Sequence, residues 1–218
     1  MSYFGSKHEL LELANHAITH YYQRVPFVRN HPQAIDLDML VMELMGGSIK
    51  MFPLSKDGSV LGMTAHERLT IRVELEDGTV IRDTLRPKDI VVDSSLAGFR
   101  NTGARNFTLA HEIGHQLLRT HFPVEDLSHD LEEEFADIIA MGILLPERLV
   151  RAAMEYFQFP DKLYCVYRSH LDENYLRFKA MARHLGVQRQ LLAERMRYMN
   201  VLTSDVPYRQ SLLLLEGK

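Results

Sequence analysis

The chain holds a single cysteine, Cys165, among its 218 residues. One thiol allows no intramolecular disulfide and excludes a cysteine-built zinc site. Long apolar runs are missing as well. No stretch approaches the about 18 uninterrupted apolar residues that signal a membrane-spanning helix. Residues 1–8 lack a basic start followed by an apolar run, so no signal peptide is expected and the expected compartment is the cytoplasm. There is no excess of positive charge. The 25 Lys+Arg against 29 Asp+Glu leave a formal charge of −4, which gives no global reason to expect nucleic acid as a partner. No internal repeat or low-complexity segment occurs. With 46% hydrophobic and 25% charged residues, the composition is that of a globular chain able to build a sizeable core.

The most informative residues are His111-Glu112-Ile113-Gly114-His115, an HExxH pentapeptide. The flanking Phe107, Ala110, Leu117 and Leu118 supply an apolar side at helical spacing. On a helix, residues four apart share a face, so His111 and His115 can present both imidazoles to one metal ion. Glu112 lies about 100° around the helix from His111. It is therefore beside the metal rather than on it, where it can take a proton from water. The alternative is a pair of core histidines satisfied by ordinary hydrogen bonds.

A catalytic zinc needs three protein ligands and an open position. Two candidates lie downstream. Glu133 falls in Glu133-Glu134-Phe135-Ala136-Asp137, and Asp137, four residues on, shares its face. Glu133 could bind the metal while Asp137 holds the distal nitrogen of a ligand histidine. Glu132 and Glu134 are expected to form a solvated acidic first turn favoured by the helix dipole. His121 is the other candidate, at the spacing of HExxHxxGxxH enzymes. That pattern needs a glycine where this chain has Leu118, which favours Glu133.

Helices are expected over residues 6–22, opened by the capping box Ser6–Glu9, and from Asp36 to the stop at Gly46-Gly47. Alternation over 69–75, the turn Asp77-Gly78 and the return through 79–82 predict a hairpin. Ile90-Val91-Val92 is a short strand, taken as the edge along which an extended substrate would lie. Residues 94–105 are expected as a loop, and further helices over 131–145, 147–157, 171–185 and 188–199. This order predicts an α+β fold: a small antiparallel sheet packed with the HExxH helix and a second, ligand-bearing helix, plus C-terminal helices. Residues 1–160 would form a metallopeptidase domain with an N-terminal helix. Residues 161–218 would form a helical extension, ending in a tail with four leucines at 212–215.

Residues 107–118, Phe-Thr-Leu-Ala-His-Glu-Ile-Gly-His-Gln-Leu-Leu, resemble the FTLAHELGHxLL signature of the ImmA/IrrE family of zinc metallo-endopeptidases. Residues 133–137, followed by Ile143-Leu144-Leu145-Pro146, are similar to that family's ExEANxFAxxLLMP segment. Phe135 replaces the usual Glu and Asp137 the usual Asn. The resemblance implies Zn2+ held by His111, His115 and Glu133, with Glu112 as general base. It also implies regulatory cleavage of a protein such as the helix-turn-helix repressor of a phage-like or mobile element.

Residues 182–192 read like the turn of a helix-turn-helix, and Arg177, Lys179, Arg183, Arg189, Arg195 and Arg197 make the region basic. Such a pair could contact DNA or dock a repressor. A helical brace with solvated arginines is preferred, and DNA contact is not expected. A second functional class is a DNA-binding or repressor-binding regulator whose peptidase site is vestigial. The intact Glu112 argues against it, since a structural zinc needs no base. Oxyanion stabilisation could come from His129, Tyr156, Tyr164 or Tyr167.

Overall fold

The computed structural model describes residues 6–55, 57–74, 77–122, 127–163 and 173–203. Cys165, Tyr164, Tyr167 and the leucine tail at 212–215 lie outside them. The chain divides into two compact units, and each is described by itself. The first comprises the described residues of Met1–Val25 and Asp36–Ile143, and the second those of Pro26–Ile35 and Leu144–Lys218. The class is α+β, as expected.

In the first unit, helix α1 (Lys7–Arg24) starts at the expected capping box. Ser6 accepts from the Glu9 N–H, and Glu9 reaches back to the Ser6 N–H. Its apolar stripe, Leu10, Leu13, Ala14, Ile18 and Tyr21, is buried, and each large side chain contributes about 1.5–3 kcal/mol on leaving water. Asp36 caps α2 (Leu37–Met39), which widens at once into a π-helical segment, Leu40–Met45. Here the sequence predicts a simple α-helix.

The sheet that carries the site is β1 (Ile49–Phe52), β2 (Gly62–Thr64) and β5 (Ile90–Asp93), in the order β1-β5-β2. It is mixed rather than antiparallel, since β1 runs parallel to β5 and β2 antiparallel to it. The expected edge strand, 90–92, is therefore the central one. Ile90, Val91 and Val92 are all fully buried. A strand covered on both faces has no polar alternation, which is why it reads as a continuous apolar run. The true edge beside the site is β2, which the sequence reading passed over.

The strands β3 (Leu69–Glu74) and β4 (Val80–Leu85) form the expected hairpin as a separate two-stranded sheet. One face packs inward through Ile71 and Leu85, against a cluster with Ala65 and Val91. The other face points to solvent.

Two buried carboxylates tie the loops around this sheet. Asp89 accepts from the Ser48 N–H and hydroxyl and from the Arg86 N–H. Asp93 accepts from the N–H groups of Leu54 and Ser95. Burial alone would raise both pKa values, but these hydrogen bonds outweigh it and hold both below the ordinary 3.8.

Helix α3 (Thr102–His121) begins earlier than expected, within the predicted loop, and crosses the sheet. Helix α4 (His129–Leu144) follows. In the second unit, α5 (Glu147–Tyr156), α6 (Glu173–His184) and α7 (Arg189–Tyr198) pack with the segment 26–35. Arg29 pairs with Glu155, and Arg148 lies 4.0 Å over the Phe27 ring. His184 donates to the Pro32 carbonyl and stacks on Tyr156.

Several arginines of the helical pair are used internally. Arg195 is buried and donates to the Leu145 carbonyl, Arg189 bonds the Tyr175 hydroxyl, and Arg177 pairs with Glu173. Among the described residues, no helix is long and apolar enough to cross a membrane.

Candidate metal centre

Helix α3 presents His111 and His115 on one face, as i,i+4 spacing requires. The first turns of α4 meet that face. The approach depends on Gly114, because a Cβ there would lie 2.8 Å from the Ala136 carbonyl oxygen on α4. With no side chain at 114, the two helix backbones come close enough for Glu133 to reach between the imidazoles.

Nε2 of His111 and Nε2 of His115 are 3.0 Å apart. Glu133 places one carboxylate oxygen 3.2 Å from the first and the other 3.3 Å from the second. A tetrahedral zinc with bonds of about 2.0–2.1 Å separates its ligand atoms by about 3.3 Å. The donor set therefore fits such an ion in chemistry, with one donor atom from each residue within 4.8 Å of the others.

The distal nitrogens are held too. His111 Nδ1 lies 2.8 Å from Asp137 Oδ1, and His115 Nδ1 lies 3.2 Å from Glu132 Oε1. A carboxylate on Nδ1 keeps the proton there and turns the Nε2 lone pair toward a cation. Burial works against protonation of His111, but Asp137, Glu112 and Glu133 outweigh it and raise its pKa. For His115, burial and the neighbouring His111 prevail, and its pKa falls.

The expected solvated acidic turn is thus half right. Glu134 is exposed, whereas Glu132 is largely covered and bonded to His115 and Arg119. Adjacent glutamates in a first turn look alike in sequence, and only the crossing of the two helices decides which one turns inward. Phe135, the departure from the family pattern, is a core residue. His121 ends α3, exposed and bonded to the Leu117 carbonyl, and has no place in the cluster. With α3 unbroken through a fully buried Leu118, the chain makes no turn that could bring it round.

Glu112 is 7% exposed and sits against the edge strand β2. The hydrogen-bonded pairs between β2 and its neighbour involve Leu61 with Asp93 and Ala65 with Asp89. By antiparallel alternation, the backbone groups of Gly62 and Thr64 then face the open edge. The Thr64 N–H is directed to the Glu112 carboxylate. Gly62 is required for this approach, since its Cβ would lie 2.6 Å from Glu112 Oε1 and 2.6 Å from Thr108 Cγ2. Burial lifts the Glu112 pKa, the His111 charge lowers it, Glu133 raises it and the Thr64 N–H lowers it again. The result is about 7. Gln116, also on α3, bonds the Lys88 carbonyl and the Thr64 hydroxyl and so locks β2 to the helix.

The cluster opens into a cleft of about 620 Å³. Val60, Leu61 and Phe107 give it apolar wall, while His66, Arg119 and His129 give it polar wall. His66 is a residue the sequence reading missed. Desolvation, then the charges of Arg119 and His115, hold its imidazole below the ordinary 6.5. His129 Nδ1 lies 3.8 Å from Glu133 Oε1. Tyr156 belongs to the second unit.

The model of the M78 peptidase family, described as the IrrE N-terminal-like domain, matches residues 67–197. That is more than half of the chain. The chain belongs to the IrrE N-terminal-like, M78 peptidase family. No curated protein matches its sequence. Among solved structures, a Mycobacterium tuberculosis transcriptional regulator is similar, with a TM-score of 0.39 and 17% identity. The match covers 90% of this chain and 48% of that one, so the chain spans about half the length of that relative. The family match takes in the hairpin, the central strand, both histidines, Glu112 and Glu133, which places the cluster inside the M78 peptidase domain.

Proposed function

We propose that this M78 family member is a zinc-dependent endopeptidase of regulatory type. The observation that carries the reading is a buried carboxylate, Glu112, beside three convergent donor atoms that fit one zinc ion. His111, His115 and Glu133 would hold the ion, with Asp137 and Glu132 fixing the two imidazoles. Zinc in that position supplies Lewis acidity, polarising a peptide carbonyl and lowering the pKa of water. Glu112 accepts the proton as water oxygen bonds to the carbonyl carbon, and returns it to nitrogen as the C–N bond breaks. Burial lifts the Glu112 pKa to about 7 in the metal-free cluster, and a cation bound beside it would bring that down, leaving an ionised base at neutrality. A vestigial site would have no use for a buried base held at this position by a glycine and a backbone N–H.

The peptide would lie along the open edge of β2, where Gly62 offers an N–H and a C=O to an added strand. The chemistry then falls within residues 1–160. The substrate is a protein, and a helix-turn-helix repressor is the expected one.

The test is to mix purified, zinc-loaded chain with a helix-turn-helix repressor from the same genome, beginning with any encoded beside its gene, and read fragment masses. Two fragments should appear, and a chelator should prevent them. An uncut repressor, with zinc present at one ion per chain, would leave the repressor reading without support. A second test bears on β2. Gly62→Ala should cost about a hundredfold in cleavage rate, because displacement of about 1 Å at a reacting group has that effect. Its zinc content should stay unchanged. A normal rate would remove β2 from the mechanism.

A further inference from the structure

The solvent face of the β3–β4 hairpin carries a feature that the metal centre does not use. The register pairs Arg72 directly with Arg82. Directly opposed side chains on a sheet have their Cβ atoms about 4.5–5.5 Å apart, and like charges there are unfavourable. Next along this face come Thr70 and Thr84, whose hydroxyls approach to 3.4 Å. Strand alternation continues the face to Arg68 and Arg86, just beyond the last paired residues, Leu69 and Leu85. All four arginines are exposed, and among the described residues none is paired with a carboxylate. The acidic residue Asp83 is on the opposite face, neutralised by Lys50. Glu74, opposite Val80, is the described acidic side chain on the arginine face.

Four unneutralised guanidinium groups gathered on one face stand out in a chain whose formal charge is −4. Along the chain, the face begins close to the cleft wall. The edge strand β2 ends at Thr64, His66 lines the cleft wall, and Arg68 follows two residues later at the start of the hairpin.

We infer that this arginine face is an exosite for an acidic, extended segment of the protein substrate. The segment would flank the stretch that lies along β2. This rests on the peptidase reading above. In an extended chain, alternate side chains on one face repeat every 6.6–6.8 Å or so, the same period as the positions along the hairpin. A carboxylate accepts two parallel N–H bonds from a guanidinium, a geometry that arginine provides and lysine does not. A long polyanion such as DNA fits less well. It would also meet the carboxylates of Glu132, Glu133 and Asp137, which line the cleft.

The experiment uses the full chain and two probes, a fluorescein-labelled Glu-Thr repeat peptide and a labelled DNA duplex of mixed sequence. The variants are Arg72→Glu with Arg82→Glu, and a control of equal charge change on α6, Lys179→Glu with Arg183→Glu. Fluorescence anisotropy should show salt-sensitive binding of the acidic peptide. The hairpin variant should bind it at least tenfold more weakly and gain affinity for a Lys-Thr repeat peptide, and the control should match wild type. In cleavage, an acidic extension on a cut peptide should lower KM without changing kcat, and only when the hairpin arginines are present. Equal binding by both variants, or no binding by wild type, overturns the proposal. So does stronger binding of the DNA duplex that the hairpin variant loses. Because anisotropy does not depend on turnover, a chain that cuts nothing would defeat the peptidase reading and still leave the exosite decided by binding.

Discussion

Glu112→Gln is expected to abolish peptide cleavage while the protein keeps its metal and its fold. The amide has nearly the shape of the carboxylate and can still receive the Thr64 N–H through its oxygen. It cannot accept a proton from water. Loss of a positioned general base costs on the order of a hundredfold to ten-thousandfold in rate. In the metal-free protein stability should hold or rise, because the buried carboxylate is unfavourable there: burial is the largest cause lifting its pKa to about 7. Elemental analysis, thermal melting and single-turnover cleavage together make the measurement. A variant that cuts at the wild-type rate would remove Glu112 from the mechanism. One that has also lost zinc would mean that Glu112 helps to bind the ion.

The parts of the site that were legible in the sequence are those set by local spacing. His111 and His115 share a face because a helix repeats every 3.6 residues, and Glu133 and Asp137 share one for the same reason. The capping box at Ser6 and the hairpin at Asp77-Gly78 are likewise decided within a few residues. What was missed depends on contacts between distant segments. Gly62-Met63-Thr64 is too short to show alternation, and it becomes a strand only by pairing with Val92, Val91 and Ile90. Ile90-Val91-Val92 is central rather than an edge, and its unbroken apolar run is what a strand covered on both faces requires. Glu132 and Glu134 look alike in the sequence because the inward side of α4 is chosen by the crossing at Gly114 and Ala136. The basic C-terminal helices could be counted from the sequence, but not the carbonyl of Leu145 or the hydroxyl of Tyr175 that take up Arg195 and Arg189.

The ligand set yields the other large expected effect. Purified protein should carry one zinc per chain, and His111→Ala, His115→Ala and Glu133→Ala should each lose it. His121→Ala should keep it, because His121 lies outside the cluster at the exposed end of α3. The three ligands differ in what their loss leaves behind. Removing either imidazole strands a carboxylate, Asp137 or Glu132, that now accepts from its Nδ1. Removing Glu133 leaves two imidazoles 3.0 Å apart with both Nε2 lone pairs facing one another. Glu133→Ala removes a carboxylate whose charge favours protonation of both imidazoles, so any residual zinc binding in this variant should persist to lower pH than in wild type. Binding that requires deprotonated ligands also stabilises the folded chain by an amount that grows with zinc concentration. A chelator should lower the melting temperature of wild type and His121→Ala, and leave that of the three ligand variants unchanged. Full occupancy in Glu133→Ala, with loss in His121→Ala, would overturn the assignment and return the third position to His121.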